Sequence, residues 1–154
     1  MKCMSLQQLE LSPEVEEALY VQGYSQYQQG HYKEAGQCFQ RLAAGCRKNS
    51  RYWFALAACY QMLQYYDGAV AFYLYAAMLS PENPFLYLHA AECLFSLNKI
   101  EAALSALGQV EQIVGDQKEY HQLTLKVQAM RIAWKLEDQI EETHKSRKKS
   151  WWAT

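Results

Sequence analysis

The sequence predicts an all-α fold, a solenoid of three helix–turn–helix repeats closed by a further helix. Three observations carry this prediction: a pattern that recurs three times along the chain, only three prolines and seven glycines among 154 residues, and an apolar stripe at helical spacing after the last repeat. A solenoid needs a terminal element to cover its last apolar face. The predicted segments are a short N-terminal segment (1–15), three repeats (16–49, 50–83 and 84–117), a capping helix (118–142) and a basic, disordered tail (143–154).

The repeat is visible when the chain is aligned with itself. A single offset places Tyr32 on Tyr66, Cys59 on Cys93, and Ala35 on Ala69 and Ala103. A period of about 34 residues and the order W-x2-L-G-x2-Y, A-x3-F, P are typical of the tetratricopeptide repeat, a pair of closely crossing helices. The middle repeat matches the pattern best, through Trp53, Leu56, Tyr60, Ala69 and Pro81.

Helix ends are marked by capping residues and glycines. Polar side chains that can accept from a free backbone N–H stand at three predicted helix starts, at Ser12, Asn49 and Asn83. Gly30 and Gly115 are predicted to end helices, and Asp116 with Glu119 to form a capping box for the last helix. That helix carries one apolar face, formed by Tyr120, Leu123, Val127, Met130 and Trp134.

The composition restricts the class of protein. The net charge of −1 argues against bulk electrostatic binding of nucleic acid or anionic membranes. The longest apolar runs, YWFALAACY and AVAFYLYAAML, are shorter than the roughly 20 residues of a membrane span, so no stable membrane insertion is expected. Five cysteines without a CxxC pair and a start without an apolar signal core indicate the cytoplasm.

The basic tail leaves one alternative open. Lys145, Arg147, Lys148 and Lys149 could contact nucleic acid or a membrane, but a solvated terminus is the preferred interpretation. Trp151 and Trp152 have no counterpart in the repeats and receive no role.

No constellation for catalysis or for a cofactor is present, so we expect neither an enzyme nor a metal site. His89 and Cys93 have the spacing of helical metal ligands, but Cys93 repeats Cys59 at a position suited to small buried residues. Packing explains both cysteines without a ligand.

The first helix of each repeat is expected to line a concave groove. We call its residues the predicted binding face: Tyr20, Tyr24, Tyr27, Phe54, Ala58, Gln61, Met62, Phe85, Leu88, Glu92 and Phe95. Some of these side chains could belong to the core, but for Tyr24, Phe54 and Leu88 we favour the groove. Co-chaperones that hold acidic C-termini use Lys and Asn here, whereas aromatic residues predict an extended, mostly apolar peptide.

The stretches HAAECLF (89–95), YKEAGQCFQRL (32–42) and LAACYQMLQYYDGAVAFYLYAAML (56–79), with YHQLTLKVQAM (120–130), resemble a known family. These are the class II chaperones of bacterial type III secretion, the SycD/LcrH/IpgC group, and the resemblance covers about residues 16–140. It implies a cytoplasmic chaperone that works without ATP. Such a protein holds a short N-terminal segment of hydrophobic translocator proteins, often of P-x-L-x-x-P type, and keeps two clients soluble and apart before secretion.

Two alternatives accompany this interpretation. A general tetratricopeptide adaptor joining two folded partners would fit the same fold, although only Arg51 brings a positive charge to the groove. Members of the family usually carry an N-terminal helical arm that contributes to dimerisation, whereas about a dozen residues precede the first repeat here. A homodimer formed through that arm is therefore not the expected assembly, and a homodimer is kept only as an alternative.

Overall fold

The computed structural model describes residues 11–152, which form seven α-helices, one short 3-10 helix and no strand. The chain divides into two compact units, with the boundary between Glu82 and Asn83. Unit 1 contains α1 (Pro13–Gln28), α2 (Tyr32–Gly45), α3 (Ser50–Met62) and α4 (Tyr66–Leu79). Unit 2 contains α5 (Pro84–Ser96), α6 (Ile100–Val114), the 3-10 helix (Lys118–Tyr120) and α7 (His121–Trp152). The predicted all-α class, three helix pairs followed by a further helix, is confirmed.

The three helix pairs turn in the same way. The link between the two helices of each pair passes through one residue with positive φ: Gly30 (82°), Gln64 (63°) and Asn98 (58°). These residues occupy the same repeat position, and the residue after each donates its N–H to a carbonyl five positions earlier, as in His31 to Gln26 at 2.9 Å. Such bonds satisfy the last carbonyls of the first helix. The sequence predicted this turn only at Gly30, because glycine is the residue usually associated with positive φ.

The helix starts follow the predicted capping residues. Asn49 and Asn83 each accept a backbone N–H two residues later at 3.1 Å, and Ser12 accepts from Val15 at 3.4 Å. The predicted capping box at Asp116 and Glu119 is wrong. After Gly115 (φ 47°) the chain makes the 3-10 turn instead, and α7 begins only at His121.

Each unit has its own apolar core. The core of unit 1 is built from α1, α2 and α3, through Leu19, Ala35, Phe39, Leu42, Ala43, Tyr52, Leu56 and Cys59. Gly23 allows α1 to approach α2, because a Cβ at this position would lie 3.0 Å from the Phe39 ring. The core of unit 2 is built from α5, α6 and α7, through Leu88, Ala91, Ala103, Ala106, Leu107, Val110, Val114, Leu123, Val127 and Trp134. The predicted apolar face of the capping helix is thus the face that packs inward.

The predicted boundaries need two corrections. α1 begins at Pro13, three residues inside the segment assigned to the N-terminus, and residues 1–10 of that segment lie outside the described residues. The prediction of a disordered tail from residue 143 is wrong for residues 143–152, which continue α7. This stretch contains strong helix formers, and Lys145 lies 3.4 Å from Glu141, one turn earlier. Among the described helices, none combines the length and apolar character required to cross a membrane.

Candidate peptide-binding surface

The predicted binding face lies entirely on the first helices of the three pairs, α1 and α3 in unit 1 and α5 in unit 2. Its members differ widely in exposure. Tyr24 (52%), Met62 (46%) and Phe85 (43%) are among the most exposed large apolar side chains of these helices, whereas Leu88 is 2% exposed. We therefore describe the face unit by unit, from the contacts of each side chain.

On α1, Tyr24 and Tyr20 present aromatic rings in different ways. The Tyr24 hydroxyl makes a local hydrogen bond, accepting from Gln28 Nε2 at 2.9 Å. Tyr20 is half-buried, with its ring centroid 6.0 Å from those of Phe39 and Tyr52. Tyr24 therefore has an exposed ring, while the Tyr20 ring supports the core.

Arg51 extends the surface of α3 over Tyr20. Its guanidinium carbon lies 5.1 Å from the centre of the Tyr20 ring, and its Nη2 donates to the Tyr20 hydroxyl at 3.1 Å. A guanidinium stacked on an aromatic ring is held by cation–π attraction as well as by the hydrogen bond. The positive charge of Arg51 therefore lies over an aromatic ring and is not isolated in a polar site.

The middle of α3 is supported by a residue of α4 that is not part of the predicted binding face. Tyr73 of α4 is 1% exposed, its ring meets Phe54 edge-on at 5.7 Å, and its hydroxyl donates to Gln61 Oε1 at 2.7 Å. Tyr73 therefore positions two residues of the predicted binding face at once. The sequence contained a signal for this role, because Phe39 and Leu107 occupy the same repeat position as Tyr73 and carry no hydroxyl.

Tyr27 and Ala58 complete the contribution of unit 1. The Tyr27 ring packs edge-on against Tyr32 at 5.1 Å, and burial raises the pKa of Tyr27. Ala58 is half-buried and leaves room above α3 because its side chain is a single methyl group. Together with Met62, these residues give unit 1 a surface that is aromatic and apolar, with amide and hydroxyl groups at its edges.

In unit 2 the expected role of Leu88 is wrong. Leu88 is a member of the core to which α6 and α7 contribute Leu107 and Val127, and a side chain this deeply buried cannot contact a peptide. Phe95 is half-covered because its ring stacks on Trp134 of α7, with centroids 4.5 Å apart and planes 8° from parallel. Leu88 is buried and Phe95 is partly covered because α7 packs against this side of unit 2, and the repeat position alone did not predict this. Phe85 remains the exposed apolar member on α5.

Glu92 brings a negative charge to unit 2 and is held by two basic side chains. Its carboxylate lies 3.0 Å from His89 Nδ1 and 3.3 Å from Lys126 Nζ of α7. Burial by itself raises the pKa of Glu92, but the hydrogen bonds and charges of His89 and Lys126 outweigh it and lower the pKa to about 2. The carboxylate is therefore ionised at neutral pH and links α5 to α7.

The His89 and Cys93 pair does not form a ligand set. His89 contacts Glu92, and Cys93 is fully buried, with burial raising the pKa of its thiol to about 12. A thiol of this kind stays protonated and is a poor metal ligand or nucleophile. Within residues 11–152 we find no cluster of three His, Cys, Asp or Glu side chains that could hold a metal ion.

A family model and known proteins are similar to this chain in sequence. A tetratricopeptide repeat family model matches residues 62–127. The low calcium response locus protein H of Yersinia pestis is 34% identical over 132 residues, which cover 86% of this chain and 79% of that protein.

Two solved structures are similar to this chain over most of their length. The type III secretion chaperone SycD of Yersinia enterocolitica, in complex with a peptide of the translocator YopD, has a TM-score of 0.78 and 33% identity, over 84% of this chain and 98% of that one. PcrH in complex with the chaperone binding region of PopD has a TM-score of 0.77 and 31% identity, over 83% of this chain and 96% of that one. In both structures the relative of this chain holds a segment of another protein.

Proposed function

The chain belongs to the translocator chaperones of bacterial type III secretion, and we propose that it binds apolar segments of translocator proteins on the first helices of its repeats. One observation carries the proposal: relatives that share this fold over nearly their whole length hold a peptide of the translocator YopD and the chaperone binding region of PopD. In this chain the members of the predicted binding face that reach solvent are mostly apolar, as such a segment requires.

We assign the contacts unit by unit. In unit 1, Tyr24, Phe54 and Met62 would receive apolar anchors of the client, while Gln61 would hydrogen-bond its backbone. In unit 2, Phe85 would contact an apolar side chain and Glu92 would orient a donor of the client. Each well-buried apolar anchor contributes about 1.5–3 kcal/mol before the cost of ordering the peptide, so three anchors support micromolar affinity.

The proposed activity is binding without chemistry. By covering apolar client segments in the bacterial cytoplasm, the chaperone would keep two translocators soluble and apart until secretion. The related protein SycD is a translocator chaperone, and binding energy alone is sufficient for this task.

The test uses residues that are already exposed, so that folding is not disturbed. In the variant Tyr24→Ala/Met62→Ala, both side chains belong to the predicted binding face and are about half-exposed. The control Tyr65→Ala/Met78→Ala removes the same residue types outside that face, where the side chains are 63% and 79% exposed. The probe is a fluorescent peptide of the chaperone-binding region of the cognate translocator, titrated by polarisation.

We expect the first variant to lose at least ten-fold in affinity for the peptide and the control to stay within two-fold, with the helical circular dichroism unchanged in both. Equal affinity of both variants for the peptide would refute the assignment of the surface. If both variants keep their affinity for the peptide and the protein binds two folded partners, the adaptor function would be favoured.

A further inference from the structure

The outer face of α4 is apolar, although it points to solvent. Its buried side is formed by Ala69, Tyr73, Ala76 and Ala77. On the opposite side of the helix lie Ala71, Leu74, Tyr75 and Met78, all exposed, with Met78 at 79%, Leu74 at 40% and Tyr75 at 38%. We call these four residues the outer α4 face. Asp67, in the first turn, is the one charged residue of α4.

The equivalent faces of the other two repeats carry small or polar residues. Shifting by one period gives Gln37, Gln40, Arg41 and Ala44 on α2, and Ser105, Gly108, Gln109 and Gln112 on α6. All of these are exposed except Gly108, which is half-buried. The same backbone position thus faces water in all three repeats, but only α4 covers it with large apolar side chains. The repeat fold does not require large apolar residues at these positions, because α2 and α6 carry mostly polar residues there.

The size of the outer α4 face limits what can cover it. With these exposures it presents on the order of a few hundred Å² of mainly apolar surface, the size of the largest patches on typical monomers, which are often functional. A stable dimer buries about 800 Å² on each partner, so this face is too small to hold a second copy by itself. Its four residues lie on one side of a single helix, so one helix laid along α4 would be enough to cover them.

The chemistry of the outer α4 face further restricts the kind of partner that can bind it. None of its four residues can form an ion pair, so a charged partner would lose solvation without compensation. Met78 is an adaptable side chain of the kind common on surfaces that accept more than one apolar partner. Tyr75 is fixed edge-on against Trp53 at 4.7 Å, so part of the face is preorganised.

We propose that the outer α4 face is a second client-docking surface, which shields an uncharged apolar helix of the same translocator whose extended segment occupies the first helices. This inference rests on the proposed function. A client held at one surface is presented to the other at high effective concentration, so a weak apolar contact becomes effective.

Photo-crosslinking tests the occupant directly. p-Benzoylphenylalanine is placed at position 78, and in two matched controls at positions 44 and 112, which occupy the same repeat position on α2 and α6. Each protein is co-expressed with the full-length cognate translocator and irradiated. We expect a crosslink to the translocator from position 78 at least five-fold stronger than from either control. A crosslink to a second copy, a crosslink within the chain, or equal yields at all three positions would each overturn the proposal.

A pair of substitutions separates this surface from the first one. Leu74→Gln/Met78→Gln gives α4 residues found at the equivalent positions 40 and 112, and leaves Tyr75 and its contact with Trp53 in place. We expect the affinity for the chaperone-binding peptide to stay within two-fold, while recovery of soluble full-length translocator falls roughly ten-fold. Unchanged recovery of the full-length translocator would contradict a docking role for α4, even if the peptide result supports the proposed function.

Discussion

Phe54 in unit 1 and Leu88 in unit 2 occupy the same repeat position, yet only Phe54 is partly open to solvent. Leu88 lies in a core that α7 helps to form, whereas the Phe54 ring rests edge-on against Tyr73 and stays half-buried. At a second repeat position the supporting contacts differ, since Phe95 stacks on Trp134 of α7 while Gln61 accepts from Tyr73 of α4. A repeat position therefore does not fix the role of a side chain. The helix that closes the array converts part of the potential ligand surface into core.

The largest effect that follows from this contrast is on stability. Leu88→Ala should lower the free energy of unfolding by about 2–5 kcal/mol, because it leaves a cavity in the core of unit 2. Phe54→Ala should cost only about 1–2 kcal/mol, because part of its ring is already in water, but it should weaken peptide binding at least ten-fold. Urea denaturation and the polarisation assay measure the two quantities. If Phe54→Ala destabilises the protein as much as Leu88→Ala, the two positions do not differ in the way described.

The second effect concerns Glu92, a negatively charged residue of unit 2 whose position in unit 1 is occupied by an uncharged residue. Ala58 occupies the position of Glu92 in unit 1, so the links to His89 and Lys126 have no equivalent there. A carboxyl whose pKa is lowered in the folded state stabilises the protein above its unfolded pKa and loses that contribution as the pH falls through the folded pKa. For Glu92, with a folded pKa of about 2, the contribution is complete above about pH 5 and is lost toward pH 2.

Glu92→Gln should therefore be about 1–2 kcal/mol less stable than the parent chain at pH 7, and the difference should shrink as the pH falls from about 5 to 2. Thermal or urea unfolding across this range measures it. A stability difference that is the same at pH 3 and pH 7 would show that the ionised form of Glu92 is not what links α5 to α7.

The smallest effect is at the turns. Gln64 in unit 1 and Asn98 in unit 2 both have positive φ at the position where the first repeat has Gly30. Glycine adopts this conformation without strain, asparagine tolerates it and glutamine does not, so Gln64→Gly should stabilise the protein by about 0.5–1 kcal/mol. Asn98→Gly should gain less. The comparison of the two melting temperatures checks this order, and a larger gain at Asn98 would contradict the explanation from backbone strain.

The periodic features of the fold could be predicted from the sequence. The constant offset between the repeats located the three helix pairs, and the capping side chains of Asn49 and Asn83 located two helix starts. The stripe from Tyr120 to Trp134 identified the side of α7 that packs inward. These predictions succeed because hydrogen bonding at helix ends and helical spacing are local properties of the chain.

The fate of individual surface residues could not be predicted in the same way. Leu88 was assigned to the groove and is core, Tyr73 was not assigned to the groove but positions Gln61, and the tail from residue 143 continues α7. The first two depend on which helix lies opposite, a contact between residues distant in sequence. The tail depends on a balance of weak helix-stabilising terms that no periodic apolar pattern reveals.

The sequence by itself thus determined the class of fold, the number of repeats and the helices on which the predicted binding face lies, because these follow from a pattern that recurs at a constant period. It also contained the apolar outer α4 face, in the run AVAFYLYAAML, but could not say which of these residues are exposed. Only the tertiary structure decided that Tyr24, Met62 and Met78 reach solvent while Leu88 does not. Burial is a property of the elements packed around a side chain, and neighbouring residues in the sequence do not determine it.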